Sequence, residues 1–370
     1  MLVLDILFFT FIVVVFIQLI YYGVVFSRFA FAKSGKVTKK NISISVIICA
    51  KNEAENLKNF FPLILEQEYP NFEVILINDN SNDKTLEIME SFQAKNDNVK
   101  IVDVKPIEAF WGSKKYALTL GIKAASNNFL LFTDADCKPL SKYWIKEMSS
   151  HFSNSKTLVL GYGSYKKKKY SLINKLIRFE TLLTAIQYFS YAKIGIPYMG
   201  VGRNLAYRKE SFFKSNGFMS HMDIRSGDDD LFVNQVANSN NTAICFSKSS
   251  FTESIPETSI KSWINQKRRH VSTSKYYKPQ HKFLLGVFYL SQLLFWSLSI
   301  ILISFLFQWK TVVILFMLRI VIQYISIGFS AKKLNELDTI ALLPFLELFL
   351  VFSQLVIFIS NLISKPNHWR

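Results

Sequence analysis

Ile44-Ser45-Val46-Ile47-Ile48-Cys49-Ala50-Lys51-Asn52-Glu53 is a short β-branched apolar run that turns abruptly polar. Such a run reads as a buried strand whose end carries exposed chemistry. Working outward, residues 53–65 have helical spacing and 73–77 form a second apolar run, followed by the polar turn 78–83. Residues 85–94 read as helix, 99–104 as strand, 114–125 as helix and 129–133 as a fourth strand. Strands alternating with helices imply an α/β domain built on a mainly parallel sheet, covered on both faces. Ligands bind at the carboxyl ends of the strands in such sheets. Polar residues that follow different strands should therefore converge: Lys51, Asn52 and Glu53, then Asp79, then Asp134 and Asp136.

Thr133-Asp134-Ala135-Asp136 places two carboxylates two apart at a strand end. Strand side chains alternate with period two, so both can face one way. Paired carboxylates are hard oxygen ligands for Mg²⁺ or Mn²⁺, ions that also bind substrate phosphates. No Gly-x-Gly-x-x-Gly follows the first strand, and no Gly-x-x-x-x-Gly-Lys-Ser/Thr loop occurs. This argues against a dehydrogenase and against a P-loop ATPase or kinase. The three cysteines, Cys49, Cys137 and Cys245, lack metal-ligand spacing and read as small apolar core residues in a reducing compartment.

The ends of the chain are different. Residues 2–26, 283–307, 311–329 and 339–363 are apolar long enough to span a bilayer, which takes roughly 20 residues per helix. The first is too long for a signal peptide and no small-residue cleavage site follows it. Arg28, Lys33, Lys36, Lys39 and Lys40 follow it, which puts that end, and the middle domain, in the cytosol. Lys332 and Lys333 agree with that orientation, whereas Lys365 and Arg370 do not; Pro344 and Glu347 suggest a kinked or re-entrant last segment. Arg319 and Glu347 are costly in lipid, and their opposite charges make a pair between them reasonable. With spans present, the net charge of +17 points to a membrane surface rather than to nucleic acid. Lys166 to Lys169 precede an amphipathic stretch near 171–190 that reads either as an interfacial helix or as a core helix beside a solvated charge run. The expected organisation is a spanning helix at 1–27, a basic linker at 28–41, the α/β domain at 42–282 and a membrane region of about three helices at 283–370.

The motifs taken together carry a resemblance. Ile47-Ile48-Cys49-Ala50-Lys51-Asn52-Glu53, Ile77 to Thr85, Gly112-Ser113-Lys114-Lys115 with Ala117-Leu118, and Asp134-Ala135-Asp136 resemble the inverting family 2 glycosyltransferases with a GT-A fold. Gly202-Arg203-Asn204-Leu205-Ala206-Tyr207-Arg208 resembles that family's acceptor-side loop, and Gly227-Asp228-Asp229-Asp230-Leu231 its catalytic-acid segment. Gln266-Lys267-Arg268-Arg269-His270 resembles the Gln-x-x-Arg-Trp motif of cellulose, hyaluronan and poly-N-acetylglucosamine synthases, a pattern shared by ceramide and hopanoid glucosyltransferases. The resemblance runs from about Ile42 to Tyr277.

It implies a UDP-sugar donor, contacted by Asn52, Glu53, Asp79, Lys114, Asp134, Gln266, Arg268 and Arg269, with Asp136 and Asp134 on the metal. It implies that Gly202, Asn204 and His270 face the acceptor and that Asp228 or Asp229 is the general base. Counting back from Leu231 selects Asp228, whereas aligning the acidic pair directly selects Asp229. His270 stands where the family has Trp, which bears on acceptor identity more than on the reaction. The acceptor is lipid-linked or a polysaccharide, at the cytosolic face of a multi-pass, bacterial inner-membrane protein; an oligomer or an export partner is left open. A processive synthase is the nearest alternative. A non-enzymatic module that binds nucleotide or anionic lipid is the alternative of another class, in which Gln266 to His270 touch lipid headgroups and Asp228 to Asp230 merely start a helix.

Overall fold

A computed structural model describes residues 1–35, 41–105, 113–224 and 226–364. Lys36, Lys39, Lys40, Gly112, Lys365 and Arg370, named in the sequence reading, lie outside the described residues. The chain divides into two compact units. One comprises residues 34–168 and 195–256, and the other residues 1–33, 169–194 and 257–367.

The first unit is the α/β domain. Its strands are β1 (Ile44–Ala50), β2 (Phe72–Asp79), β3 (Val99–Val104), β4 (Phe129–Asp134), β5 (Cys137–Pro139), β6 (Leu158–Leu160), β7 (Gly163–Tyr165), β8 (Leu205–Arg208), β9 (Thr242–Ile244) and β10 (Thr252–Ser254). A seven-stranded sheet runs β3-β2-β1-β4-β8-β6-β9, and β5-β10-β7 form a second, small sheet. β3, β2, β1 and β4 are mutually parallel, as the alternation with helices requires. Helices Ala54–Leu65, Thr85–Gln93 and Ser113–Ala124 make the crossovers. β8 is antiparallel to β4, with Phe132 opposite Leu205. The segment entering β8 therefore arrives at the edge where β1, β2 and β4 end. Strands β1 and β2 are buried along most of their length, so their side chains form a continuous core with Leu57, Phe61, Trp144 and Phe152.

In the other unit, four helices among the described residues are long and apolar enough to cross a membrane: Leu2–Ala30, Pro279–Ser304, Trp309–Lys333 and Leu337–Ile363. The first widens through a π-helical turn at Tyr21–Val25. Phe11, Val14 and Val15 pack on Phe295, Leu298, Leu302 and Val312. Pro344 does not kink the last segment: it occupies the first turn of helix Leu343–Ile363, where proline has no hydrogen bond to lose, after a 3₁₀ stretch at Leu337–Leu342. Arg319 and Glu347, both 0 % exposed, do pair, at 2.5 and 2.9 Å. Helix Leu172–Lys193 also belongs to this unit, with Arg178 bound to Glu336 and Asp338, and Phe189 stacked near Phe29. The sequence reading counted that helix and the one at Ile260–Val271 with the α/β domain.

Candidate active site

Loops at the carboxyl edge are stitched to one another before any ligand is considered. Asn52 turns the chain out of β1 at a φ of 56°, a left-handed conformation that asparagine tolerates. Its N–H donates to Ser81 Oγ (3.0 Å) and its Oδ1 accepts from Asn82 N–H (2.8 Å). Glu53 N–H donates to Thr85 Oγ1 at 2.8 Å. Asp83 caps the helix that starts at Thr85, through Thr85 N–H at 3.0 Å, and also accepts from Ala54 N–H. The β1 and β2 loops thus form one rim, with the carboxyl of Asp79, 4 % exposed, at the end of β2.

Lys114 lies in the first turn of helix Ser113–Ala124, between two carboxylates. Its Nζ is 3.1 Å from Asp134 Oδ1 at the end of β4 and 3.1 Å from Asp228 Oδ2. Burial opposes the charge on Lys114, but Asp134 and Asp228 outweigh it and hold the ammonium well above its ordinary range. Burial pushes the Cys49 thiol up; Lys114 pulls it down, and Asp79, Asp228 and Asp134 push it further up. Carboxylates from three distant segments therefore act on one sulfur. A small cleft at this edge is lined by Cys49, Lys114, Asp134, Gly202, Asp228 and Asp229, among others.

Asp228 and Asp229 differ in their partners. Burial lifts Asp228, yet Lys114 beside it wins and holds its carboxyl below the usual range. For Asp229 burial is reinforced by the charges of Asp228 and Asp230, and its carboxyl rises to about 7. Both Asp229 oxygens serve the backbone: Oδ2 accepts from Gly202 N–H at 2.6 Å, and Oδ1 caps helix Asp230–Val236 through Asp230 N–H at 2.7 Å. Gly227 precedes the pair at a φ of 95°, where a side chain would be strained and would also meet Leu231.

Asp134, Asp136 and Cys137 bring their ligand atoms within 4.8 Å of one another. Burial, followed by the charge of Asp134, raises the carboxyl of Asp136, with Arg203 opposing. Two crowded carboxyl groups are a donor set suited to a divalent cation. Cys137 was read as core and is indeed buried, but its thiol also donates to Asp136 Oδ1 at 3.3 Å. Burial and then, past the opposing Asn56 amide, Asp136 and Asp134 lift the carboxyl of Glu53, which places it near the same cluster.

Other expected residues are placed differently. Gly202 meets Asp229 directly, whereas Asn204 is 0 % exposed and does not line an acceptor wall. Its amide donates to Tyr162 O (2.9 Å) and Ser250 O (2.7 Å) and accepts from Trp144 Nε1 (3.0 Å), so it fastens the loop from beneath. Gln266, Arg268, Arg269 and His270 lie on helix Ile260–Val271 of the other unit. Arg268 binds Asn361 Oδ1, Ser360 O and Ser364 O, which caps the last apolar helix; its guanidinium is committed there rather than to a diphosphate.

Two residues without an assigned role in the sequence reading emerge. Arg203 lies over the Tyr165 ring, 4.3 Å from its centroid, and donates to Ser254 Oγ (2.6 Å) and Gly163 O (3.0 Å). Burial works against the charge on Arg203, and Tyr165, Cys137, Asp136 and Asp134 raise its pKa nonetheless. Lys115, 1 % exposed, donates to His221 O and Ile224 O at 2.6 and 2.8 Å, and burial lowers its pKa to about 8. One signal was available: two lysines at a helix N-terminus oppose the helix dipole, so oxygen partners must await them.

The comparisons agree with this architecture. A family model described as glycosyl transferase family 2 matches residues 45–214. A poly-beta-1,6-N-acetyl-D-glucosamine synthase of Staphylococcus epidermidis is 39 % identical over 93 residues, 25 % of this chain and 21 % of that protein. Glycosyltransferase AglE of Haloferax volcanii is 32 % identical over 120 residues, 32 % of this chain and 38 % of that protein. The chain thus spans well under half the length of these curated relatives. A solved mannosyltransferase, PcManGT from Pyrobaculum calidifontis in complex with GDP-Man and Mn²⁺, shares the fold: TM-score 0.59 at 16 % identity, over 90 % of this chain and 99 % of that one.

Proposed function

We propose that this chain, whose residues 45–214 match the glycosyl transferase family 2 model, moves a sugar, with inversion, from a UDP-sugar to a lipid-linked or polysaccharide acceptor. The observation that carries this is Lys114, which joins the donor-side carboxylate Asp134 to the acceptor-side carboxylate Asp228 at 3.1 Å each. In this reading the catalytic domain is cytosolic in a multi-pass membrane protein, and the reaction occurs at that membrane face.

The geometry supports a division of roles. Asp79 and the stitched rim of Asn52 and Glu53 receive the nucleoside. Asp134 and Asp136 would hold a divalent cation; Mg²⁺ and Mn²⁺ fit their oxygens, and such an ion would supply charge neutralisation for a diphosphate. Lys114 adds a fixed positive charge near the departing diphosphate. Asp228 is the base: the acceptor oxygen attacks the anomeric carbon from behind and its proton passes to Asp228. The bond to the diphosphate breaks, and its electron pair leaves with UDP. Geometry outranks pKa in choosing a base, and both oxygens of Asp229 are already committed to backbone N–H groups. Asp229 therefore locks the Gly202 loop. For Arg269 and Gln266 the family resemblance implies diphosphate and acceptor contacts. For Gln266, an Oε1 that is buried without a protein hydrogen-bond partner among the described residues supports a ligand role.

The test is mass spectrometry of products from membranes supplied with mixed UDP-sugars, with GDP-mannose alongside because the similar solved structure carries it. A product that gains one hexose or N-acetylhexosamine unit from a UDP donor is expected. Transfer from GDP-mannose alone would replace the UDP assignment, and no transfer from any donor would leave the binding-module reading.

A further inference from the structure

Lys115 is adjacent to Lys114 and projects to a different target. Its ammonium, 1 % exposed, donates to two main-chain carbonyls, His221 O at 2.6 Å and Ile224 O at 2.8 Å. Those carbonyls belong to the turn that leads, through Gly227, into Asp228 and Asp229. Lys114 meanwhile holds the Asp228 carboxylate and Asp134. One helical turn thus grips the same segment twice, once by a side chain and once by its backbone. A buried ammonium is costly to desolvate unless it is well bonded, and the hydrogen-bond partners of Lys115 are carbonyls rather than a carboxylate. A carbonyl pair offers less than an ion pair would, so stability alone is a weak reason for the charge.

We propose that Lys115 is a positioning residue: it fixes the backbone of the turn before Asp228, so that the base and the donor-side cation Lys114 are registered by one rigid helix end. The proposal rests on the glycosyl-transfer reading for its kinetic consequence but not for its structural one. Misplacing a reacting group by about 1 Å costs on the order of 10²-fold in rate. The Lys115→Met variant, close in volume and without the donor, should therefore lose kcat on that order while donor KM stays within about twofold, because Asp79, Asp134 and Asp136 are untouched.

The experiment uses the full chain in lipid nanodiscs. Hydrogen–deuterium exchange is followed by mass spectrometry for wild type, Lys115→Met and Lys115→Gln. Faster exchange is expected in the peptide covering residues 218–232 of either variant, with strands 44–50 and 99–104 protected as in wild type. A wild-type pattern and rate in either folded variant would overturn the proposal. So would faster exchange spread evenly over the sheet, or a KM that rises while kcat is kept, since both would report a general structural role. The exchange arm needs no substrate. If no sugar donor is turned over by wild type, the transfer reading falls, and exchange at 218–232 alone decides whether Lys115 clamps the turn.

Discussion

At the scale of single residues, Asp228 and Asp229 are chemically identical in sequence and unlike in place. Sequence counting could not separate them, because two alignments one residue apart were equally good and partner geometry has no linear signature. The structure gives Asp228 an ammonium and Asp229 two backbone N–H groups. Asp228→Asn should lower transfer by about 10²- to 10⁴-fold, the usual worth of general-base catalysis. Asp229→Asn should lose far less, and steady-state rates of the two variants decide the assignment. Lys114 holds the carboxyl of Asp228 down against burial. Removing that charge in Lys114→Met should move the acid limb of the kcat–pH profile upward by about one unit or more. The Asp229 carboxyl is raised to about 7 from an ordinary value of 3.8. The folded state therefore holds that proton more tightly, and its stabilising contribution is present in acid and lost as pH rises through 7. Asp229→Asn turns one of the two backbone-accepting oxygens into an amide donor, so it should melt below wild type in acid, with the deficit shrinking as pH rises from about 4 to about 7.

Secondary-structure elements were legible to unequal degrees. The runs at 44–50 and 99–104 appear as strands with the same bounds, and those at 73–77 and 129–133 grow by three residues and one. Long apolar runs ending in polar clusters leave little ambiguity about buried parallel strands. Strands β5, β6, β7, β9 and β10 have three residues each, too few for a period to show, and only tertiary pairing defines them. The same limit hid the role of Asn204. It was expected beside the acceptor because of its neighbours in the motif, whereas Trp144, Tyr162 and Ser250, remote in sequence, bind its amide. Asn204→Ala strands one indole donor and two carbonyls in the interior. A loss on the order of 3 kcal/mol is expected from three such bonds, measured as a fall in the denaturation midpoint with metal affinity retained in the folded fraction.

For the molecule as a whole, the apolar unit is organised around one arginine. Arg319 bonds Glu347, Gln18 and Gln323, and Tyr22 and Phe295 cover its guanidinium at 4.9 and 4.4 Å. Gln292 also binds Glu347, at 2.8 Å, so each of the four long helices contributes a polar side chain. The opposite signs of Arg319 and Glu347 were visible in sequence; the glutamines and the tyrosine were not, because neutral polar residues in an apolar run announce no partner. Breaking a buried pair from one side leaves an uncompensated charge and costs about 3–5 kcal/mol, whereas replacing both ends with apolar residues is often tolerated. Arg319→Leu should accordingly lower the yield of folded protein, and Arg319→Met combined with Glu347→Leu should recover much of it, as read by monodisperse protein in detergent.

The central claim of the proposed function is that Asp134 and Asp136, at the end of β4, hold one divalent ion. Sugar transfer by purified wild type and Asp136→Ala, each assayed untreated, after EDTA and after Mn²⁺ is restored, tests it most directly. Loss with EDTA and recovery with Mn²⁺ in wild type, with little transfer by the variant throughout, is the predicted pattern. Wild-type turnover by Asp136→Ala, or by EDTA-treated enzyme, would contradict the account.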